Sequence, residues 1–210
     1  MRSLARKRFI ARRVRGNPIR LDRGFNSSVS EHVRLLTGVG EIVAEIFIGR
    51  APKSANAFLF YVDEGLFENA SFVRSVRKDN DVGSPQIEII QASVCPHVAQ
   101  HVAVEHEDTA MTGVLHLDGT LSLGRGELGT GSPSSFFICI GDQPGLDFGG
   151  KRARDGAGFA AFGRVIEGFS VVREIHGRDT LVETPDPYFR GQILAEPVAI
   201  RAARRERSHV

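Results

Sequence analysis

The sequence predicts an all-β fold, closed or sandwiched, with two helices packed on it. Three observations carry that reading. Short strand-like runs recur between Gly, Pro and Asp, and the 210 residues include 23 Gly and nine Pro. Only two segments space their apolar residues at helical intervals. Hydrophobic residues make up 41% of the chain, enough for one core, while no apolar run approaches the roughly 20 residues that span a bilayer.

In order, residues 33–37 and 41–48 read as two strands joined by a tight turn at Gly38-Val39-Gly40. Pro52 suits the first turn of a helix. Ala55, Phe58, Leu59 and Val62 fall at i, i+3, i+4 and i+7, one apolar stripe, and Gly65 supplies a stop. Strands follow at 72–76, 87–93, 119–123, 136–140 and 159–165. Phe169, Val172 and Ile175, spaced three apart, predict a second helix over 168–175. A last strand at 193–200 alternates weakly and is interrupted by Pro197. With no repeat and a single expected core, the chain divides into a basic extension (1–30), one folded domain (31–202) and a basic tail (203–210).

Charge is unevenly distributed. Residues 1–20 carry eight Lys or Arg and no acid, and residues 201–210 carry four Arg against Glu206. The remaining 180 residues hold 15 basic and 24 acidic side chains, a net of −9. An acidic body argues against nucleic-acid binding, leaving only the N-terminal tail for such a contact. Cys95 and Cys139 cannot build a disulfide framework and fit a reducing compartment. The N-terminal stretch lacks the apolar core of a secretory signal. A cytoplasmic monomer with no membrane segment is expected.

Other signals fall short of a chemistry. Gly126, Gly129 and Gly131 have no Gly-Lys-Ser/Thr and no helix after them, so they read as a loop and not a phosphate cradle. Cys95, His97, His101 and His106 are metal-competent, but their spacings of two, four and five do not match structural zinc sites. Cys139 lies in an apolar run and reads as core. Spacing alone picks out no Ser-His-Asp constellation.

Six blocks in order carry a specific resemblance: Ser71-Phe72-Val73-Arg74, Ile89-Ile90-Gln91, Gly119-Thr120-Leu121-Ser122-Leu123, Ser135-Phe136-Phe137-Ile138, Leu146-Asp147 and Phe162-Gly163-Arg164-Val165. Gly40-Glu41-Ile42, Ala51-Pro52 and Phe58 fit upstream. Over about residues 32–201 the chain resembles the cyclophilin-type peptidyl-prolyl cis-trans isomerases, the bacterial members most of all. The resemblance implies a closed eight-stranded antiparallel barrel capped by two α-helices, with the active groove on its outer surface. It implies rotation about Xaa-Pro bonds in proline-containing peptides and in unfolded or folding proteins, assisting folding without cofactor or metal.

Carried over residue by residue, Arg74 matches the family's catalytic arginine and Gln91 the glutamine that orients it and the substrate. Phe72, in the same block as Arg74, is expected at the substrate. Phe137 matches the floor of the proline pocket and Leu146 its wall, while Ile89 replaces a methionine. Gly124 and Arg125 match the stretch whose backbone pairs with the peptide, the Arg125 side chain being incidental. Phe159 aligns with a common histidine after an insertion at 148–158 and keeps an aromatic wall.

The chain also departs from the family. Glu88 stands where many members carry an aromatic pocket residue, so either Ile87 substitutes or the pocket is more open. Ala92-Ser93 replace a Gly-Gly pair, Ser135 replaces Gln or Glu, and Gly145 sits where animal members often have Trp. Glu88, Ala92 and Ser93 support one alternative, a proline-peptide binding module with little turnover.

Overall fold

The computed structural model describes residues 29–95, 104–125 and 129–206. Its strands are β1 (Glu31–Thr37), β2 (Gly40–Ile46), β3 (Ala70–Val76), β4 (Ile89–Val94), β5 (Val104–Glu105), β6 (Thr120–Arg125), β7 (Thr130–Cys139), β8 (Ala160–Glu167) and β9 (Ile193–Arg205). The helices are α1 (Pro52–Asp63), α2 (Thr109–Thr112) and α3 (Phe169–His176). Around the sheet the order is β4-β3-β9-β1-β2-β8-β6-β7, and β7 pairs back onto β4. All these pairings are antiparallel, so eight strands close a barrel and the two-residue β5 adds to the end of β7.

Two strands, β7 and β9, run well beyond the ranges the sequence predicts. β7 starts at Thr130, so Gly131 is strand and not loop; it pairs with Arg125 on one side and Val104 on the other. Pairing on both edges holds residues whose own strand preference is weak. β9 runs to Arg205, into residues expected to begin the tail, because Val33 and Leu35 of β1 pair with Arg205 and Ala203. Arg205 also bonds Asp63 of α1 at 2.6 and 2.8 Å. Pro197 is tolerated because the β3–β9 register jumps from Phe72↔Val198 to Arg74↔Ile193, so Pro197 has no ladder partner there. The one-turn α2 is unanticipated; the Asp108 carboxylate caps it by accepting the Met111 N–H at 2.9 Å.

The apolar stripe of α1 is buried, and the Phe58 ring lies 5.0 Å from Phe67 and Phe162 and 5.3 Å from Phe136. α1 packs on β7, β8 and β9, and α3 on β2, β3 and β4. From α3, Val172 and Ile175 enter the same core. Each such side chain is worth roughly 1.5–3 kcal/mol on burial. Contrary to the expected single core, the described residues form two apolar clusters. The smaller comprises Val76, Ile87, Ile89, Phe137, Cys139 and Leu146, with Phe159 packed against it. Strand alternation creates it: Ile90, Ala92, Phe136 and Ile138 fill the barrel, while Ile89, Phe137 and Cys139 face out.

Among the described residues no helix is long and apolar enough to cross a membrane. Most of the expected N-terminal extension, and His97, His101 and Gly126, lie outside the described residues.

Candidate active site

The second cluster floors an open cavity of about 290 Å³ on the outer barrel surface. Arg74, Ile89, Gln91, Gly124, Arg125, Phe137, Leu146 and Phe159 all line it. Phe72 does not. It is fully buried in the barrel core, in edge-on contact with Phe136 at 6.0 Å. Plain alternation would put Phe72 and Arg74 on the same face. The β3–β4 register slips between them, Phe72 pairing with Ala92 and Arg74 with Gln91, and this bulge turns Arg74 outward.

Arg74 is only 8% exposed. Its Nη1 donates to Gln91 Oε1 at 3.0 Å, and its Nε and Nη2 donate to Gln192 Oε1 at 2.9 and 2.6 Å. The guanidinium lies 5.3 Å from the Tyr188 ring centre and 4.9 Å from that of Phe189. Burial pulls its pKa below the ordinary guanidinium value, opposed in part by the Tyr188 hydroxyl. Among the described residues no carboxylate lies within ion-pair distance of it.

Gln91 is oriented in turn. Its Nε2 donates to Ser135 Oγ at 2.9 Å, and Ser135 Oγ donates to the Ala92 carbonyl at 3.1 Å. Ser93 Oγ also donates to Ser135 Oγ, at 3.2 Å. The departures at 93 and 135 therefore build the hydroxyl pair that fixes this amide. Ala92 faces the barrel interior and leaves the groove unchanged.

Of the two residues, Ile87 enters the pocket and Glu88 does not. Regular β4 pairing begins at Ile89; Ile87 ahead of it is 5% exposed within the pocket cluster, while Glu88 pairs with Lys78 at 3.4 Å. At Gly145, a Cβ would come within 2.5 Å of Pro85 Cγ, so Pro85 occupies the space over that residue.

Under the floor lies a constellation that spacing did not reveal. The His116 ring stacks beneath Phe137 at 6.0 Å and an interplanar angle of 14°. Its Nδ1 is 2.8 Å from Asp147 Oδ1 and its Nε2 is 3.0 Å from Ser122 Oγ. Ser122 and His116 are 0% and 1% exposed, so no substrate reaches the serine, and the trio acts as a brace. The His116 backbone N–H also donates to Asp147 Oδ1 at 3.0 Å, which anchors the neighbouring wall residue Leu146.

The insertion at 148–158 reaches the groove through two ion pairs. Arg152 donates to both oxygens of the buried Asp81 at 2.7 and 2.9 Å and itself lines the cavity. Burial raises the Asp81 carboxyl pKa, but hydrogen bonds from Arg152, Gly83 and Ile87 outweigh it, and the net position is below the usual value. Arg125 donates to Asp155 at 2.5 and 2.8 Å and lies over the Phe159 ring at 5.8 Å. That pairing holds Asp155 well below the ordinary carboxylate range. The Arg125 side chain, expected to be incidental, thus pins the aromatic wall, and Phe159 meets Phe137 edge-on at 5.5 Å.

Sequence reasoning missed Arg152, Tyr188, Phe189, Gln192 and His116. The one signal for the middle three is an aromatic pair, Tyr188-Phe189, in an otherwise polar, Pro- and Asp-rich loop.

Comparison with known proteins agrees with this geometry. The profile of the family described as cyclophilin type peptidyl-prolyl cis-trans isomerase/CLD matches residues 32–200. Peptidyl-prolyl cis-trans isomerase A of Dickeya dadantii is 30% identical over 180 residues, covering 86% of this chain and 87% of that one. Peptidyl-prolyl cis-trans isomerase B of Escherichia coli is 29% identical over 142 residues, covering 67% and 81%. A crystal structure of a cyclophilin type peptidyl-prolyl cis-trans isomerase from Cryptosporidium parvum superposes with a TM-score of 0.62 at 18% identity, over 86% of this chain and 99% of that one. A second, in the presence of the dipeptide Ala-Pro, gives 0.61. A barrel of this topology, with a profile match spanning nearly the whole of it, means that the chain belongs to the cyclophilin-type peptidyl-prolyl cis-trans isomerase family.

Proposed function

We propose that the outer groove isomerises Xaa-Pro bonds by gripping the proline ring on Phe137, Leu146 and Ile89 and presenting Arg74 to the prolyl nitrogen. An Xaa-Pro bond prefers trans by only about 0.5–1 kcal/mol, but rotation faces a barrier of roughly 18–20 kcal/mol from resonance of the nitrogen lone pair into the carbonyl. Twisting the bond frees that lone pair. A donor placed to meet it stabilises the twisted state more than the planar one, which is all the catalysis requires. No covalent intermediate, general base or cofactor enters the scheme. Shortening tens of seconds to about a millisecond takes roughly 5–6 kcal/mol.

The observation that carries this reading is the state of Arg74: buried at a cavity with an apolar floor, held by neutral amide oxygens, with no carboxylate among the described residues within ion-pair distance of it. An arginine serving only structure would be paired, as Arg152 is with Asp81. Gln91 sets the angle of the guanidinium and offers its amide to the substrate backbone. The alternative of a proline-peptide binding module with little turnover rests on Glu88, Ala92 and Ser93; against it stand the pairing of Glu88 with Lys78, the turn of Ala92 into the core and the bond of Ser93 to Ser135.

The clients are proline-containing segments of unfolded and folding proteins, met by a monomer in the cytoplasm, where the unpaired Cys95 and Cys139 are at home. Turnover is tested with short Xaa-Pro peptides by a protease-coupled assay or by NMR exchange, without added metal or nucleotide. Acceleration at micromolar enzyme supports the reading; no acceleration overturns it.

A further inference from the structure

We infer that Gln192 is a positioning residue for Arg74, a neutral clamp that fixes the guanidinium while leaving its charge intact. The inference rests on the isomerase reading and goes beyond it, because Gln192 comes from a loop that no catalytic expectation included. Gln192 is 1% exposed. Its single side-chain oxygen accepts from both Nε and Nη2 of Arg74, at 2.9 and 2.6 Å. Its Nε2 donates to the Asn80 carbonyl at 2.9 Å, which settles which end of the amide faces the arginine.

The clamp is itself immobilised. The Gln192 backbone N–H donates to the Phe189 carbonyl, and its own carbonyl accepts from Ser75, the residue next to Arg74, each at 2.9 Å. Asn80 Nδ2 ties the neighbouring Gly191 carbonyl at 2.7 Å. The same segment brings Tyr188 and Phe189 against the guanidinium face, after Asp186 caps the turn through the Tyr188 N–H at 2.9 Å. One short stretch of chain thus supplies a cover for the arginine and a clamp for its inner edge.

Two physical consequences follow. A free arginine side chain has many rotamers to lose, and holding its inner edge beforehand removes that cost from the reaction. A carboxylate in the same place would hold the arginine equally well, but it would cancel the positive charge meant for the freed lone pair. An amide gives the geometry without the neutralisation.

The test uses the full chain, with Gln192→Ala, Gln192→Glu and Arg74→Ala measured beside the parent for kcat and KM on one Xaa-Pro peptide. Melting temperatures identify which variants are folded. Loss of hydrogen bonds to a charged group predicts a fall of about 10- to 100-fold in kcat for Gln192→Ala, with KM within about twofold. Gln192→Glu has the same length, carries the test if the alanine variant does not fold, and is expected to lose kcat by a similar factor. Disappearance of the Arg74 Nε–H NMR signal in Gln192→Ala is the matching spectroscopic result. Parent-like kcat in either folded variant, or a loss carried by KM alone, overturns the inference. If the parent itself does not isomerise the peptide, the isomerase reading has failed. If the parent isomerises, Arg74→Ala does not, and the Gln192 variants match the parent, only the clamp has failed.

Discussion

Phe72 and Arg74 stand two residues apart on β3 yet face opposite sides of the barrel wall, because the pairing with β4 slips by one residue between them. The slip puts the largest apolar side chain of the strand inside the barrel and the cation outside it. Everything at the site depends on that bulge, since it delivers Arg74 to the row formed by Gln91 and Phe137 across β4 and β7.

Phe72 should therefore behave as core. Phe72→Ala is expected to cost about 3–5 kcal/mol of stability, measured by urea unfolding, while the folded variant keeps the parent's peptide KM. A selective rise in KM with little loss of stability would return Phe72 to the groove.

The brace beneath the floor leads to a different expectation. His116→Ala takes the ring partner from Ser122, leaves Asp147 Oδ1 only the backbone N–H of residue 116, and removes the ring that backs Phe137. Stability is expected to fall by about 1–3 kcal/mol, and KM for proline peptides to rise as the floor loosens. Unchanged KM in a destabilised protein would show that the floor does not need its backing.

Acid should attack the link between the insertion and the loop after β3. The Asp81 carboxyl is lower in the folded state than when free. Its stabilising contribution is thus fully present above the unfolded value of about 3.9 and is lost as pH falls through the lower folded value. Asp81→Asn leaves Arg152 buried and unpaired, with an expected cost of about 3 kcal/mol at neutral pH. It should also flatten the decline in stability below about pH 4. Unfolding midpoints at pH 7 and across the acid range check both effects; a parallel decline in the two proteins would rule the pair out as the acid-sensitive link.

The thiols should differ in reactivity. Cys95 is exposed, whereas Cys139 is buried and its burial pushes the thiol pKa well up, away from the reactive thiolate. A thiol reagent is expected to modify one cysteine in the native protein and both after unfolding. Prompt modification of Cys139 in the native protein would mean that the pocket cluster opens readily.

Much of the barrel was legible because its signals are local. The α1 stripe, the strand runs and the blocks around Arg74, Phe137 and Leu146 each lie within a few neighbouring residues. Phe72 was misassigned because alternation is a rule for regular strands, and a bulge is set by pairing with a distant one. The roles of Gln192 and Arg152 could not be read from their neighbours for a related reason. They lie 118 residues after Arg74 and 71 after Asp81, in loops whose composition says only that they are loops. His116 and Ser122 are six residues apart, but Asp147 joins them only once β6 and the segment after β7 pack together.

The central claim is that Arg74 supplies the donor that stabilises the twisted prolyl amide. Its most direct test is the kcat/KM of Arg74→Ala on an Xaa-Pro peptide, with the melting temperature measured on the same sample. Loss of one such donor costs roughly 2–4 kcal/mol of transition-state stabilisation, so the expected result is a fall of about 10²–10³-fold in a protein that remains folded. Efficiency close to that of the parent would contradict the claim and remove Arg74 from the chemistry.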